Sequence, residues 1–112
     1  MTQENDTTGG VRILKPFGEI DLHAAPALRA ELATCSAAKT PVVLLDFSEV
    51  DYIDSSGLAM LIEYLKASAD FGGKLGLFGL KKKVRAVFEL VRLDQLFVIG
   101  EDGPETVAKL QA

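Results

Sequence analysis

The sequence predicts an α/β fold, a single domain in which a small mixed β-sheet carries alternating helices. Three observations lead there. Strand-type and helix-type patterns alternate from Val11 to the end of the chain, with no repeat or linker between them. The 112 residues suit one compact domain. Hydrophobic residues make up 48% and charged residues 25%, so a core can form without disulfides or metals.

Taken in order, the first ten residues, MTQENDTTGG, are polar and read as a flexible tail ended by Gly9-Gly10, which puts the domain at 11–112. VRILKPF reads as a strand, with Pro16 restricting it to an edge or a strand end. GEID reads as a turn. Pro26 suits a first helical turn, where its missing N–H costs nothing, and Leu28, Leu32 and Cys35 then recur at helical spacing. PVVLLDF is a continuous, β-branched apolar run, expected as a central strand covered on at least one face.

SEVDYIDS is polar and reads as the connecting loop. Leu58, Leu61, Ile62 and Leu65 follow the i, i+3, i+4, i+7 rule of a second helix, stopped by Gly72-Gly73 after Asp70. KLGLFGL is a third strand, and Val84, Val87, Phe88 and Val91 form a third helical stripe. LFVIG closes the sheet, and DGPETVAKLQA is a final helix with Pro104 at its start. Right-handed crossovers would bring the loops that follow the strands to one sheet edge, where ligands and partners meet such sheets.

Several function classes are excluded. A lone cysteine cannot form an internal disulfide, no Cys–His cluster suggests zinc, and Cys35 reads as a small core residue. The net charge of −4 and pI near 4.9 disfavour nucleic acid. The longest aliphatic run, Val42–Leu45, is far too short to enter a membrane, and the polar N-terminus has no signal-peptide segment. A soluble cytoplasmic protein without cofactor or metal is expected.

The chemistry-bearing stretch is Asp54-Ser55-Ser56-Gly57, at the mouth of the second helix. Asp54 or Ser55 makes a good N-cap, accepting from first-turn N–H groups that have no helical partner. A cap needs one residue, yet three polar ones stand here, and Gly57 costs about 1 kcal/mol of helix stability relative to alanine. Something is therefore expected to approach the backbone closely. A catalytic serine is disfavoured: the residue two before either serine is Ile53 or Asp54, not the glycine of a nucleophile elbow. The sole histidine, His23, lies beside another helix start, and no S-x-x-K follows. Modification fits better, because phosphate at a helix N-terminus faces N–H donors and the positive end of the dipole.

FGEIDLHAAPALRAEL, LLDFSEVDYIDSSGLAMLIEYL and FGGKLGLFGLKKKVRAVFELVRLDQLF together resemble the STAS domain of bacterial anti-sigma factor antagonists, from about Val11 to the C-terminus. The most specific element is hydrophobic-Asp-Ser-Ser/Thr-Gly-Leu after an apolar strand, supported by Gly-Glu-Ile-Asp upstream and Gly-Gly downstream. The resemblance implies that Ser55, directly after the motif aspartate, is phosphorylated by an anti-sigma factor that is itself a serine kinase, with Ser56 the second choice. The unphosphorylated protein would bind that kinase and free a sigma factor for transcription, as in stress-response partner switching. A PP2C-type phosphatase would reset it. Asp21 matches a position near the phosphorylated serine, so the expected partner-binding set is Asp21, Asp54, Ser55, Ser56 and Gly57. The alternative is a non-switching STAS accessory or scaffold subunit, in a lipid or anion transporter or a signalling assembly.

Two stretches depart from the family pattern. The family has a first strand where MTQENDTTGG forms one poorly. The third helix opens with Lys81-Lys82-Lys83 in place of Ser/Asn-Pro, setting positive charge where the helix dipole disfavours it. That cluster reads as solvated, or more sharply as a contact for an acidic surface.

Overall fold

The computed structural model describes residues 2–8 and 10–111, with side chains from residue 10 onward. Its elements run β1 (Thr2–Thr8), β2 (Val11–Ile20), α1 (Ala25–Ala37), β3 (Val42–Asp46), β4 (Glu49–Ile53), α2 (Ser55–Ala69), β5 (Lys74–Phe78), α3 (Lys82–Leu90), β6 (Val98–Gly100) and α4 (Gly103–Gln111). A short 3-10 turn, Leu93–Gln95, separates α3 from β6. The sheet order is β1-β2-β3-β5-β6, with β4 on β2. β1 runs antiparallel to β2 and the other pairings are parallel, so the expected mixed sheet is found.

β2 organises this sheet because it has two successive partners on one side. Val11–Leu14 pair with Val42–Leu45 of β3, and Phe17–Ile20 pair with Glu49–Ile53 of β4. Pro16, expected at an edge or a strand end, lies instead inside β2, opposite Thr2 of β1 and between the β3 and β4 ladders, so its missing N–H breaks neither of those two. Gly18 has φ +77, and the β2–β4 register slips between Gly18 and Glu19; glycine tolerates the left-handed backbone of such a bulge.

Three expectations are corrected here. Thr2–Thr8, expected as part of a flexible tail over 1–10, form β1, with Gly10 at φ +85 leading into β2. The ladder is made by backbone groups, which polar side chains do not prevent. Met1 and Gly9 lie outside the described residues. GEID is no turn: Gly18, Glu19 and Ile20 complete β2, and only Asp21 leaves the strand. SEVDYIDS is not a plain loop either, since Glu49–Ile53 form β4, with Val50 and Ile53 buried and Glu49, Asp51 and Tyr52 exposed.

The sheet is covered on both faces. Val43 and Leu45 of β3 point into the main core with Leu28, Leu32 and Cys35 of α1, Leu58 and Leu61 of α2, and Val84 and Phe88 of α3. Val42 and Leu44 point the other way, into a smaller core closed by Leu110 of α4. On α2 the expected stripe is shifted: Leu58 and Leu61 are buried, while Ile62 and Leu65 are only partly so. Met60, Tyr64 and Ser68 are buried as well, because α1 packs along that flank.

Candidate functional site

The C-terminal ends of the parallel strands β2 and β4 lie at one sheet edge, and each runs straight into a capped turn. At the end of β4, Asp54 is extended (φ −109, ψ −174) and is the N-cap of α2. Its Oδ1 accepts from the N–H of Ser56 at 2.9 Å and of Gly57 at 3.2 Å. Its carbonyl accepts from Leu58 N–H at 3.0 Å, the first helical bond. Of the two cap candidates, Asp54 therefore holds the role, and Ser55 becomes the first helical residue with its side chain free of that duty.

At the end of β2, Asp21 folds the chain in the same way. Its Oδ1 accepts from the N–H groups of His23 and Ala24, both at 3.0 Å, and its carbonyl accepts from Ala25 at 2.8 Å as α1 begins. Both carboxylates thus serve their own turns. The two turns are joined directly, because Asp54 N–H donates to the carbonyl of Ile20 at 3.2 Å.

Gly57 explains how close they come. A Cβ at that position would lie 2.7 Å from Ile53 Cγ1, 2.8 Å from the Ile20 carbonyl oxygen and 2.9 Å from Ile20 Cγ2. The close approach expected at this glycine is therefore internal: the first turn of α2 lies against the end of β2. Gly57 is buried, Asp21, Asp54 and Ser56 are half-buried, and Ser55 is exposed. The structure thus brings all five residues to one edge and presents Ser55 most openly.

Two neighbours escaped the sequence reading. Leu22, next to Asp21, is 68% exposed, and Tyr52, two residues before Asp54, is 48% exposed. Tyr52 sits opposite Glu19 in the β2–β4 register. Val50 and Ile53 are buried and leave Tyr52 outside, but three residues apart they break the alternation of a regular strand, so nothing in the sequence marked the aromatic. Leu22 carried no signal beyond its place beside Asp21. Lys81, Lys82 and Lys83 are all exposed, as expected of a solvated cluster, and Lys81 is in addition ion-paired to Asp51 of β4, the strand that leads into Asp54.

Burial raises the Cys35 thiol, partly offset by Arg12, whose Nη1 donates to Sγ at 3.4 Å. Burial likewise pushes Tyr64 up to about 12. Among the described residues no cluster of three or more His, Cys, Asp or Glu side chains could hold a metal, and no helix is long and apolar enough to cross a membrane.

Comparison with known proteins agrees with this fold. The STAS domain family model matches residues 2–109. An anti-sigma-B factor antagonist of Listeria monocytogenes is 32% identical over 82 residues, which are 73% of this chain and 72% of that protein. An anti-sigma factor antagonist from Mycobacterium paratuberculosis has the same fold at TM-score 0.87 and 24% identity, covering 100% of this chain and 94% of its own. SpoIIAA, an anti-sigma factor antagonist, superposes in its unphosphorylated form at TM-score 0.73 and 20% identity, covering 97% and 96% of the two chains. Its phosphorylated form superposes at 0.71 and 20% identity, covering 95% and 96%.

Proposed function

The chain belongs to the STAS domain family, and from that premise we propose that it is an anti-sigma factor antagonist switched by phosphorylation of Ser55. Unphosphorylated, it binds an anti-sigma factor that is a serine kinase and so releases a sigma factor. Phosphorylation of Ser55 ends that binding, and a PP2C-type phosphatase restores it. The protein acts in the cytoplasm as a binding partner and not as an enzyme. The observation that carries the reading is that Ser55 is the exposed residue of the Asp-Ser-Ser-Gly turn, while its neighbours are engaged in holding that turn.

The physical argument is local charge. Asp54 already takes the N–H groups of Ser56 and Gly57, so phosphate on Ser55 adds charge without replacing the cap. Up to two negative charges then stand beside the Asp54 carboxylate. Water screens them in the free protein. In a docked complex the same charges are desolvated, and their mismatch with a surface fitted to a neutral serine can cost several kcal/mol. Each ~1.4 kcal/mol is tenfold in affinity, so a modest mismatch releases the partner. Exposed Leu22 and Tyr52 flank this turn and supply the apolar contacts a partner would bury.

Binding titrations and thermal melts on two variants test the proposal. Ser55→Asp should bind the kinase much more weakly, and Ser55→Ala should bind as wild type but resist inactivation by ATP. Both should melt near wild type, since Asp54 and not Ser55 caps the helix. A Ser55→Asp protein that binds as wild type, or that loses binding only because it has melted, refutes the charge switch.

A further inference from the structure

α3 carries a surface that this switch does not use. With about 100° between successive residues, Lys82, Lys83, Ala86, Glu89 and Leu90 fall within one arc of about 120°. All five are exposed, while Val84 and Phe88 on the opposite side are buried. The face is symmetric in position about Ala86: Lys83 and Glu89 lie three residues to either side, Lys82 and Leu90 four. Of its charges, Glu89 has an exposed partner on its own helix, Arg85, whose Nε lies 3.6 Å from Oε2, a contact that leaves its other oxygen open to a second cation. Lys82 and Lys83 make no ion pair among the described residues, and they stand at a helix N-terminus, where positive charge is disfavoured. Leu90 is 84% exposed, and Val91 and Leu96 beside it are half-exposed.

We propose that this face pairs two copies of the chain, α3 antiparallel to α3 across a two-fold axis through Ala86. In that arrangement a residue k positions before Ala86 meets the residue k positions after it on the other copy. Lys83 then faces Glu89 of the second copy, twice over by symmetry, and the aliphatic stem of Lys82 covers Leu90. Each lysine also lies near the end of the other helix where positive charge is favoured. The small Ala86 side chain lets the axes approach at the centre. Such a contact is isologous and closes at two copies. Two nine-residue helices bury less than the ~1,200–2,000 Å² of a stable complex, so the dimer is reversible and concentration-dependent. It does not depend on the state of Ser55.

Sedimentation velocity on the full chain, from micromolar to about 1 mM, tests this with charge reversal at exposed positions. Wild type should shift towards a dimer as concentration rises. Lys83→Glu opposes acid to acid and Glu89→Lys opposes base to base, so each variant alone should stay monomeric. An equimolar mixture of the two should recover association, because an acidic face then meets a basic one. Loss of folding cannot mimic that recovery. A wild type that is monomeric throughout overturns the proposal, and so does either single variant associating as wild type does. A monomeric wild type whose docking to another protein is weakened by Lys83→Glu also overturns it and assigns the face to that protein.

Discussion

Replacing Gly57 by alanine sets two general effects against each other, and the structure decides between them. Helix propensity alone favours Gly57→Ala by about 1 kcal/mol. The new Cβ, however, would lie 2.7, 2.8 and 2.9 Å from three atoms, one of them the Ile20 carbonyl oxygen. That oxygen is held by its hydrogen bond from Asp54 N–H, so it cannot move away without losing the bond. Overpacking costs about 1–3 kcal/mol, and losing or lengthening the Ile20–Asp54 bond costs about 1 kcal/mol more. The balance is a net destabilisation of about 1–3 kcal/mol, or a fall in melting temperature of roughly 4 °C or more for a domain of this size. Thermal and urea unfolding measure it. Ala59→Gly, at an exposed position of α2, isolates propensity and should cost about 1 kcal/mol. A Gly57→Ala protein more stable than wild type would show that α2 does not press on the end of β2, and the coupling of the two turns would be wrong.

Other expectations follow from the same packing. Leu61 is fully buried between the sheet and its neighbours, so Leu61→Ala should cost about 2–5 kcal/mol in chemical denaturation. Tyr64, held up at about 12 against an ordinary value of 10.0, binds its proton more tightly folded than unfolded. Stability should therefore be intact below pH 10 and fall as pH rises from about 10 to about 12, and Tyr64→Phe should flatten that part of the pH–stability curve. Tyr52→Ser and Leu22→Ser should leave the melting temperature near wild type, since both side chains are exposed, yet weaken partner binding at least tenfold by titration.

What the sequence made legible were elements whose side chains sort by burial. Leu28, Leu32 and Cys35 announce α1, and Val42–Leu45 announce a central strand covered on at least one face, because the core selects those residues; the structure covers both. Elements held by backbone ladders were hidden. β1 is polar throughout, and in β4 the buried Val50 and Ile53 lie three residues apart, across the slipped register, so the strand shows no two-residue alternation. Gly18 signals a turn by composition but serves a bulge within β2. At the site, the motif marked the capped turn and the open serine. The partner of Gly57 was not legible, because Ile20 approaches only through the parallel pairing of β2 with β4. Leu22 and Tyr52 become conspicuous only when their exposure is known.

Phosphosite mapping addresses the central claim most directly. The purified chain is incubated with the proposed anti-sigma factor kinase and ATP, and the modified residue is located by tandem mass spectrometry. Phosphate is predicted on Ser55, with Ser55→Ala remaining unmodified and bound to the kinase. Phosphate found mainly on Ser56, or on neither serine of this turn, would contradict the account.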